Sequence, residues 1–105
     1  MKIFLDTADV DLISKYYGTG LIDGVTTNPT LIKKSGKDPE DVYRELALMG
    51  VDDISMEIVT DDANEFLTEG RRLKEKFGEI TTIKVPCTPE GLKGCKLLSL
   101  SLIHI

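Results

Sequence analysis

The sequence is poor in the features that mark several classes of protein. It has two cysteines, Cys87 and Cys95, which are too few for a disulfide framework and lack partners for a zinc site. No apolar run approaches the roughly 18 residues that a membrane span needs, and no signal-peptide hydrophobic region follows the first residues. Basic side chains number 13 against 18 acidic ones, and the net charge of −5 argues against nucleic-acid and anionic-membrane partners. These absences predict a soluble protein of the reducing cytoplasm.

Apolar material is sufficient for one folded domain. The chain has 105 residues, of which 41% are hydrophobic and 30% are charged. This composition is typical of globular domains and argues against disorder.

Strand-like and helix-like segments alternate along the chain. The predicted strands are short and rich in β-branched residues, and they are Lys2–Leu5, Gly24–Thr27, Asp53–Ile58 and Ile80–Val85. Helices are predicted over Asp9–Tyr17 and Asp61–Phe77, and others begin at Asn28-Pro29, Asp38-Pro39 and Thr88-Pro89. Four βα units in succession predict a parallel sheet, either doubly wound or part of a (βα)8 barrel.

The alternation of side chains within the strands favours the barrel. One strand face is apolar, as Ile54, Met56 and Ile58 illustrate, whereas the other face is polar. Near the carboxyl ends of the strands the polar face carries Asp6, Asn28, Glu57 and Lys84. An open sheet covered by helices on both faces needs two apolar faces, but a barrel has its active site at the inner carboxyl end. We therefore predict an α/β fold that forms the first four βα units of a (βα)8 barrel.

Lys84 is the candidate nucleophile. A lysine that points into a barrel is costly to bury in its charged form, and the neutral amine attacks carbonyl groups to form a Schiff base. The alternatives are a salt bridge to Glu57 or Asp6, or a lysine in solvent at the end of a strand.

Two carboxylates and one amide accompany this lysine. Glu57 and Asp6 have the chemistry of proton shuttles, which carbinolamine dehydration and C–C bond cleavage both require. They could instead form ion pairs with Lys84, and Asp6 could cap the turn that follows it. Asn28 is suited both to capping a helix and to binding a substrate hydroxyl. His104 has no evident partner, and we assign it no function.

Four segments together resemble the small transaldolase family, which includes the fructose-6-phosphate aldolase type. They are MKIFLDTAD, DGVTTNPTLI, MEIVT and IKVPCTPEGLKGCKLL, and the resemblance extends to about residue 98. It implies a (βα)8 barrel of the pentose phosphate pathway that transfers a dihydroxyacetone unit between sugar phosphates, without metal or organic cofactor. The resemblance makes Lys84 the Schiff-base lysine and Asp6 a proton-transfer group, and it makes Asn28 and Thr26 substrate-binding residues. Glu57 takes the position that holds the catalytic water, and glutamate there, instead of glutamine, favours a transaldolase.

The chain also departs from this family. A complete barrel has at least about 200 residues, and neither the family's threonine on the fifth strand nor its later phosphate-binding arginine and serine has a counterpart. Residues 99–105 do not resemble the family, and we expect them to form a separate C-terminal tail. Open edges on the first and fourth strands predict a homo-oligomer, in which two copies could close an eight-stranded ring. The alternative to an enzyme is a catalytically inactive truncated half-barrel that self-associates.

Overall fold

The architecture is a four-stranded parallel sheet with a helical connection after each strand. The computed structural model describes residues 1–104. The strands are β1 (Phe4–Asp6), β2 (Gly24–Thr26), β3 (Ile54–Glu57) and β4 (Thr81–Lys84), and they lie in the order β1-β2-β3-β4. Because each strand pairs with its neighbour in the chain, the sheet always grows in one direction. A doubly wound sheet reverses its strand order instead, so the predicted barrel-type α/β fold is confirmed.

Five helices accompany the strands within residues 1–104, four of them between strands and the fifth after β4. They are α1 (Val10–Tyr17), α2 (Pro29–Ser35), α3 (Pro39–Leu48), α4 (Ala63–Phe77) and α5 (Pro89–Leu100). Each begins after a capping side chain that accepts a hydrogen bond from a backbone amide of the first turn, and α2, α3 and α5 have proline at their start. None of the helices within residues 1–104 is long and apolar enough to cross a membrane.

Several element boundaries differ from the sequence prediction. β1 begins at Phe4 because the backbone of Ile3 is bound to Asp23 instead. The Ile3 N–H donates to the Asp23 carboxylate at 2.6 Å, and the Asp23 N–H donates to the Ile3 carbonyl at 2.7 Å. α4 begins two residues later than predicted, since the carboxylate of Asp62 caps it. Residues 78–80 form a 3₁₀ turn, which delays β4. α5 continues to Leu100 without a break at residue 98, and the predicted tail boundary stays a prediction.

The hydrophobic core lies between the five helices and one face of the sheet. The strands contribute Val25, Ile54, Met56 and Ile83, and the helices contribute Ile13, Ile32, Leu46, Phe66 and Leu98, all essentially inaccessible. On the opposite face the side chains are polar except for Phe4 of β1, and no described helix covers them. This separation confirms the alternation predicted within the strands, and it leaves one face of the sheet available for chemistry.

Candidate active site

Strand register arranges the polar face of the sheet in rows. Asp6 pairs with Thr26 across β1 and β2, and Thr26 pairs with Ser55 of β3. Glu57 and Lys84 pair with each other one row nearer the carboxyl ends of β3 and β4. The sheet therefore brings the predicted proton-transfer groups and the predicted lysine to the same face and the same end.

Asp6 is held by the neighbouring strand. The hydroxyl of Thr26 donates a hydrogen bond to a carboxylate oxygen of Asp6 at 3.0 Å. The turn after β1 is stabilised by other side chains, because Thr7 accepts from the Asp9 amide and Asp9 caps α1. Asp6 therefore does not serve as the helix cap that was one alternative for it, and its carboxylate faces the polar side of the sheet.

Lys84 and Glu57 form the central pair of the site. The ammonium nitrogen of Lys84 lies 3.6 Å from a carboxylate oxygen of Glu57. The Glu57 side chain is 19% exposed and that of Lys84 is 44% exposed, so the lysine is less enclosed than a closed barrel would make it. The ion pair that was an alternative for these residues is thus present, and it also places a carboxylate where it can exchange a proton with the lysine or with a group bound to it.

Asn28 combines a structural contact with a position at the site. Its side-chain oxygen accepts a hydrogen bond from the amide of Leu31 at 2.9 Å, which caps α2. Asn28 also lines an open groove of about 530 Å³ together with Glu57, Lys84 and Val59. A groove of this size is in the range that small-molecule ligands occupy. The capping contact uses only the oxygen, so the amide nitrogen faces no competing requirement from the helix.

The floor of the site contains hydroxyl groups that the sequence analysis did not select. Ser55 lies between Thr26 and Thr82 in the strand register, and it is 8% exposed. Thr82 donates a hydrogen bond to the carboxylate of Asp53 at 2.6 Å. Ser55 and Thr82 lie on the same face of the sheet as Glu57 and Lys84. The alternation that predicted Glu57 and Lys84 could therefore have predicted Ser55 and Thr82 as well.

The functional groups of the site are an amine, two carboxylates, an amide and several hydroxyls. These groups can attack a carbonyl carbon, transfer protons and bind the hydroxyls of a polyol. Among residues 1–104, no three His, Cys, Asp or Glu side chains are grouped to hold a metal ion. Cys87 and Cys95 are both unpaired, and Cys87 is exposed just beyond β4.

Comparisons with known proteins agree with this architecture. The family described as Transaldolase/Fructose-6-phosphate aldolase matches residues 3–105. A probable transaldolase of Nitrosopumilus maritimus is 46% identical over 99 residues, which cover 94% of this chain and 44% of the relative. A probable transaldolase of Ruegeria pomeroyi is 50% identical over 99 residues, with 45% of its length covered. The chain thus spans somewhat less than half the length of these relatives. By its sequence and by its succession of βα units, this chain belongs to the transaldolase/fructose-6-phosphate aldolase family.

Proposed function

We propose that this chain carries the Schiff-base part of a transaldolase active site, with Lys84 as the nucleophile. The observation that supports this most directly is the pairing of Lys84 and Glu57 at 3.6 Å in a groove that Asn28 also lines. The whole reaction is the transfer of a dihydroxyacetone unit between sugar phosphates, as part of the pentose phosphate pathway.

The chemistry begins with attack of the neutral Lys84 amine on the keto carbon of a sugar phosphate. The carbinolamine that forms loses water, which leaves a protonated imine on the lysine. Loss of a proton from the substrate hydroxyl then breaks the adjacent C–C bond, an aldehyde departs, and the three-carbon unit stays on Lys84 as an enamine. Attack of that enamine on a second aldehyde and hydrolysis of the imine complete the transfer. The lysine itself supplies the electron sink, so we propose that no cofactor takes part.

Glu57 and Asp6 divide the proton transfers. Glu57 lies beside the amine, where it can deliver the proton that leaves with the carbinolamine hydroxyl as water. Asp6 lies in the next row towards the amino ends of the strands. There the hydrogen bond that the Thr26 hydroxyl donates fixes the Asp6 carboxylate. We propose that Asp6 takes the proton from the substrate hydroxyl on the carbon whose C–C bond breaks. Asn28 and Thr26 bind the hydroxyls of the substrate.

Trapping of the imine tests this proposal. The chain is incubated with fructose 6-phosphate and sodium borohydride, which adds hydride to the imine carbon and leaves a stable secondary amine. Intact-protein mass spectrometry then measures the adduct, and Lys84→Ala serves as the control. We expect an adduct in the wild type that is absent from the variant. No adduct from a folded sample, or an adduct that persists in Lys84→Ala, would contradict the proposal.

A second candidate is a half-barrel that self-associates without turnover. Phe4, Asp6 and Lys84 are exposed on a sheet face that a barrel would enclose. The carbonyl of His104 accepts a hydrogen bond from Ile83 at the outer edge of β4, whereas no strand among residues 1–104 pairs with the outer edge of β1. Light scattering during size-exclusion chromatography distinguishes the states. A homo-oligomer with no trapped adduct favours the second candidate, a homo-oligomer with an adduct favours the enzyme, and a folded monomer rules out self-association.

We place the protein in the cytoplasm. The two thiols that the structure leaves unpaired are compatible with a reducing compartment. A fluorescent fusion observed together with a cytoplasmic marker tests this assignment, and recovery in a membrane or secreted fraction would contradict it.

A further inference from the structure

Ser55 lies in the row of side chains next to Glu57 and Lys84, towards the amino ends of the strands. We call this row the floor row, and its members, in register across the four strands, are Asp6, Thr26, Ser55 and Thr82. Ser55 is 8% exposed, and alternation along β3 directs its side chain away from the buried Ile54 and Met56. The floor row therefore presents a hydroxyl of β3 to a molecule that binds at Lys84.

The protons of the two neighbouring hydroxyls are already used. Thr26 donates to the carboxylate of Asp6 at 3.0 Å, and Thr82 donates to the carboxylate of Asp53 at 2.6 Å. Among residues 1–104, no hydrogen bond involves the hydroxyl of Ser55. A hydroxyl that is this deeply buried is expected to have a hydrogen-bond partner. Ser55 is thus the hydroxyl of the floor row that is free to donate to a bound molecule.

Thr81 of β4 provides a comparison, because its hydroxyl also has no partner within the described part of the chain. Thr81 pairs with Ile54 on the core face of the sheet and is 1% exposed, so a ligand cannot reach it. Ser55 belongs to the opposite face, which no described helix covers. The two residues therefore separate the effect of an unpaired hydroxyl from the effect of a position at the site.

The order of the floor row matches the order of the groups in a ketose. Under the proposed function Lys84 holds the keto carbon, C2, and Asp6 takes the proton of the hydroxyl on C4. Asp6 and Ser55 are two strands apart, so their Cα atoms are separated by about 10 Å. The C1–C4 part of a ketose, with a hydrogen bond at each end, can span this gap. A ketose with C4 at Asp6 then has its C1 hydroxyl at Ser55.

We propose that Ser55 is a substrate-binding residue that donates a hydrogen bond to the C1 hydroxyl of the ketose, and so makes the site selective for donors with a hydroxymethyl group beside the keto carbon. This inference rests on the proposed function, because the C1 hydroxyl reaches Ser55 only when C2 is held at Lys84. An analogue without the C1 hydroxyl leaves the Ser55 hydroxyl unpaired, and this lost hydrogen bond is the source of the selectivity.

The test compares two substrates that differ in one hydroxyl. The chain is incubated with borohydride and either fructose 6-phosphate or 1-deoxyfructose 6-phosphate, and the second-order rate constant of Lys84 adduct formation is measured for each. The ratio of the two constants is the selectivity. Ser55→Ala removes the hydroxyl with little change in volume. The matched control is Thr81→Val, which removes the unpaired hydroxyl of the core face.

A contact with the C1 hydroxyl has a specific signature. We expect Ser55→Ala to lower the selectivity about tenfold, through slower trapping of fructose 6-phosphate and with an unchanged rate for the 1-deoxy analogue. Thr81→Val should keep the selectivity of the wild type. Equal losses with both substrates in Ser55→Ala, which a structural role would cause, or an unchanged selectivity, overturn the inference alone. If the wild type forms no adduct with either substrate, the proposed function fails and this inference fails with it.

Discussion

Lys84 and Glu57 are register partners on β4 and β3, and 3.6 Å separates the ammonium nitrogen from the nearer carboxylate oxygen. The strand pairing therefore fixes the two Cα atoms, and only the side-chain torsions decide the distance between the charged groups. Because the Lys84 side chain is 44% exposed, water screens their attraction, and the pair contributes little to stability. Its value lies in bringing a proton-transfer group to an amine.

The first prediction follows from this separation of chemistry and stability. Glu57→Gln keeps the size and removes the ionisable carboxylate. We expect Lys84 adduct formation to slow by about 10²-fold or more, since general acid–base catalysis is lost, while the free energy of unfolding changes by less than about 1 kcal/mol. Trapping rates and urea unfolding measure the two effects.

The control for Glu57→Gln is a glutamate that also pairs with a lysine, but away from the groove. Glu79 lies 3.1 Å from Lys74 at the opposite end of β4 and is almost fully exposed. Glu79→Gln should leave the trapping rate unchanged. Equal trapping rates in the wild type and Glu57→Gln would remove Glu57 from the proposed proton transfer.

Asp6 offers a second prediction, on proton transfer away from the lysine. Asp6→Asn retains a hydrogen-bond acceptor for the Thr26 hydroxyl at 3.0 Å but cannot take a proton. We expect the C–C cleavage step to slow by about 10²-fold, with adduct formation reduced far less. The measurement compares borohydride trapping with release of glyceraldehyde 3-phosphate from fructose 6-phosphate.

The matched control for Asp6→Asn is Asp11→Asn, an exposed aspartate of α1 that should leave both steps unchanged. Equal losses of adduct formation and of cleavage in Asp6→Asn would indicate a structural role instead. Release of aldehyde at the wild-type rate would contradict the assignment outright.

Much of this site was predictable because it lies within strands. Alternation within each strand, with the apolar residues facing the core, places Asp6, Glu57 and Lys84 together on the other face of the sheet. The exposure of Lys84 was not predictable in the same way, since it depends on how far the sheet curves around that face.

Packing between α4 and α5 yields a third prediction, on stability. Gly94 faces Phe66 so closely that a Cβ atom at this position would lie 2.6 Å from the Cβ and the ring of Phe66. Alanine in a helix interior ordinarily stabilises relative to glycine by about 1 kcal/mol, but here the clash decides the sign. We expect Gly94→Ala to lower the free energy of unfolding by about 1–3 kcal/mol.

Urea unfolding monitored by circular dichroism measures the cost. Lys96→Ala, on an exposed position of α5, is the control and should change stability by less than about 0.5 kcal/mol. A Gly94→Ala protein as stable as the wild type would mean that α4 and α5 are further apart than described.

A charge network between α3 and α4 leads to the last prediction, on pH. The Glu40 carboxylate accepts hydrogen bonds from Arg72 and from Lys76. These bonds lower the pKa of Glu40 below its ordinary value of 4.5, and the bond from Arg72 has the larger effect. A folded-state pKa below the unfolded value means that the stabilisation is present above about pH 4.5 and is lost as the pH falls through the folded-state pKa. We expect Glu40→Gln to lower the free energy of unfolding by about 1 kcal/mol at neutral pH. This difference from the wild type should stay constant down to about pH 5 and close towards pH 3.

Urea unfolding at several pH values measures the difference in free energy of unfolding. The control is Glu75→Gln, at an exposed glutamate of α4, which should show no such trend. A difference that grows on acidification would contradict the role of Glu40, because it would require a raised pKa in the folded protein.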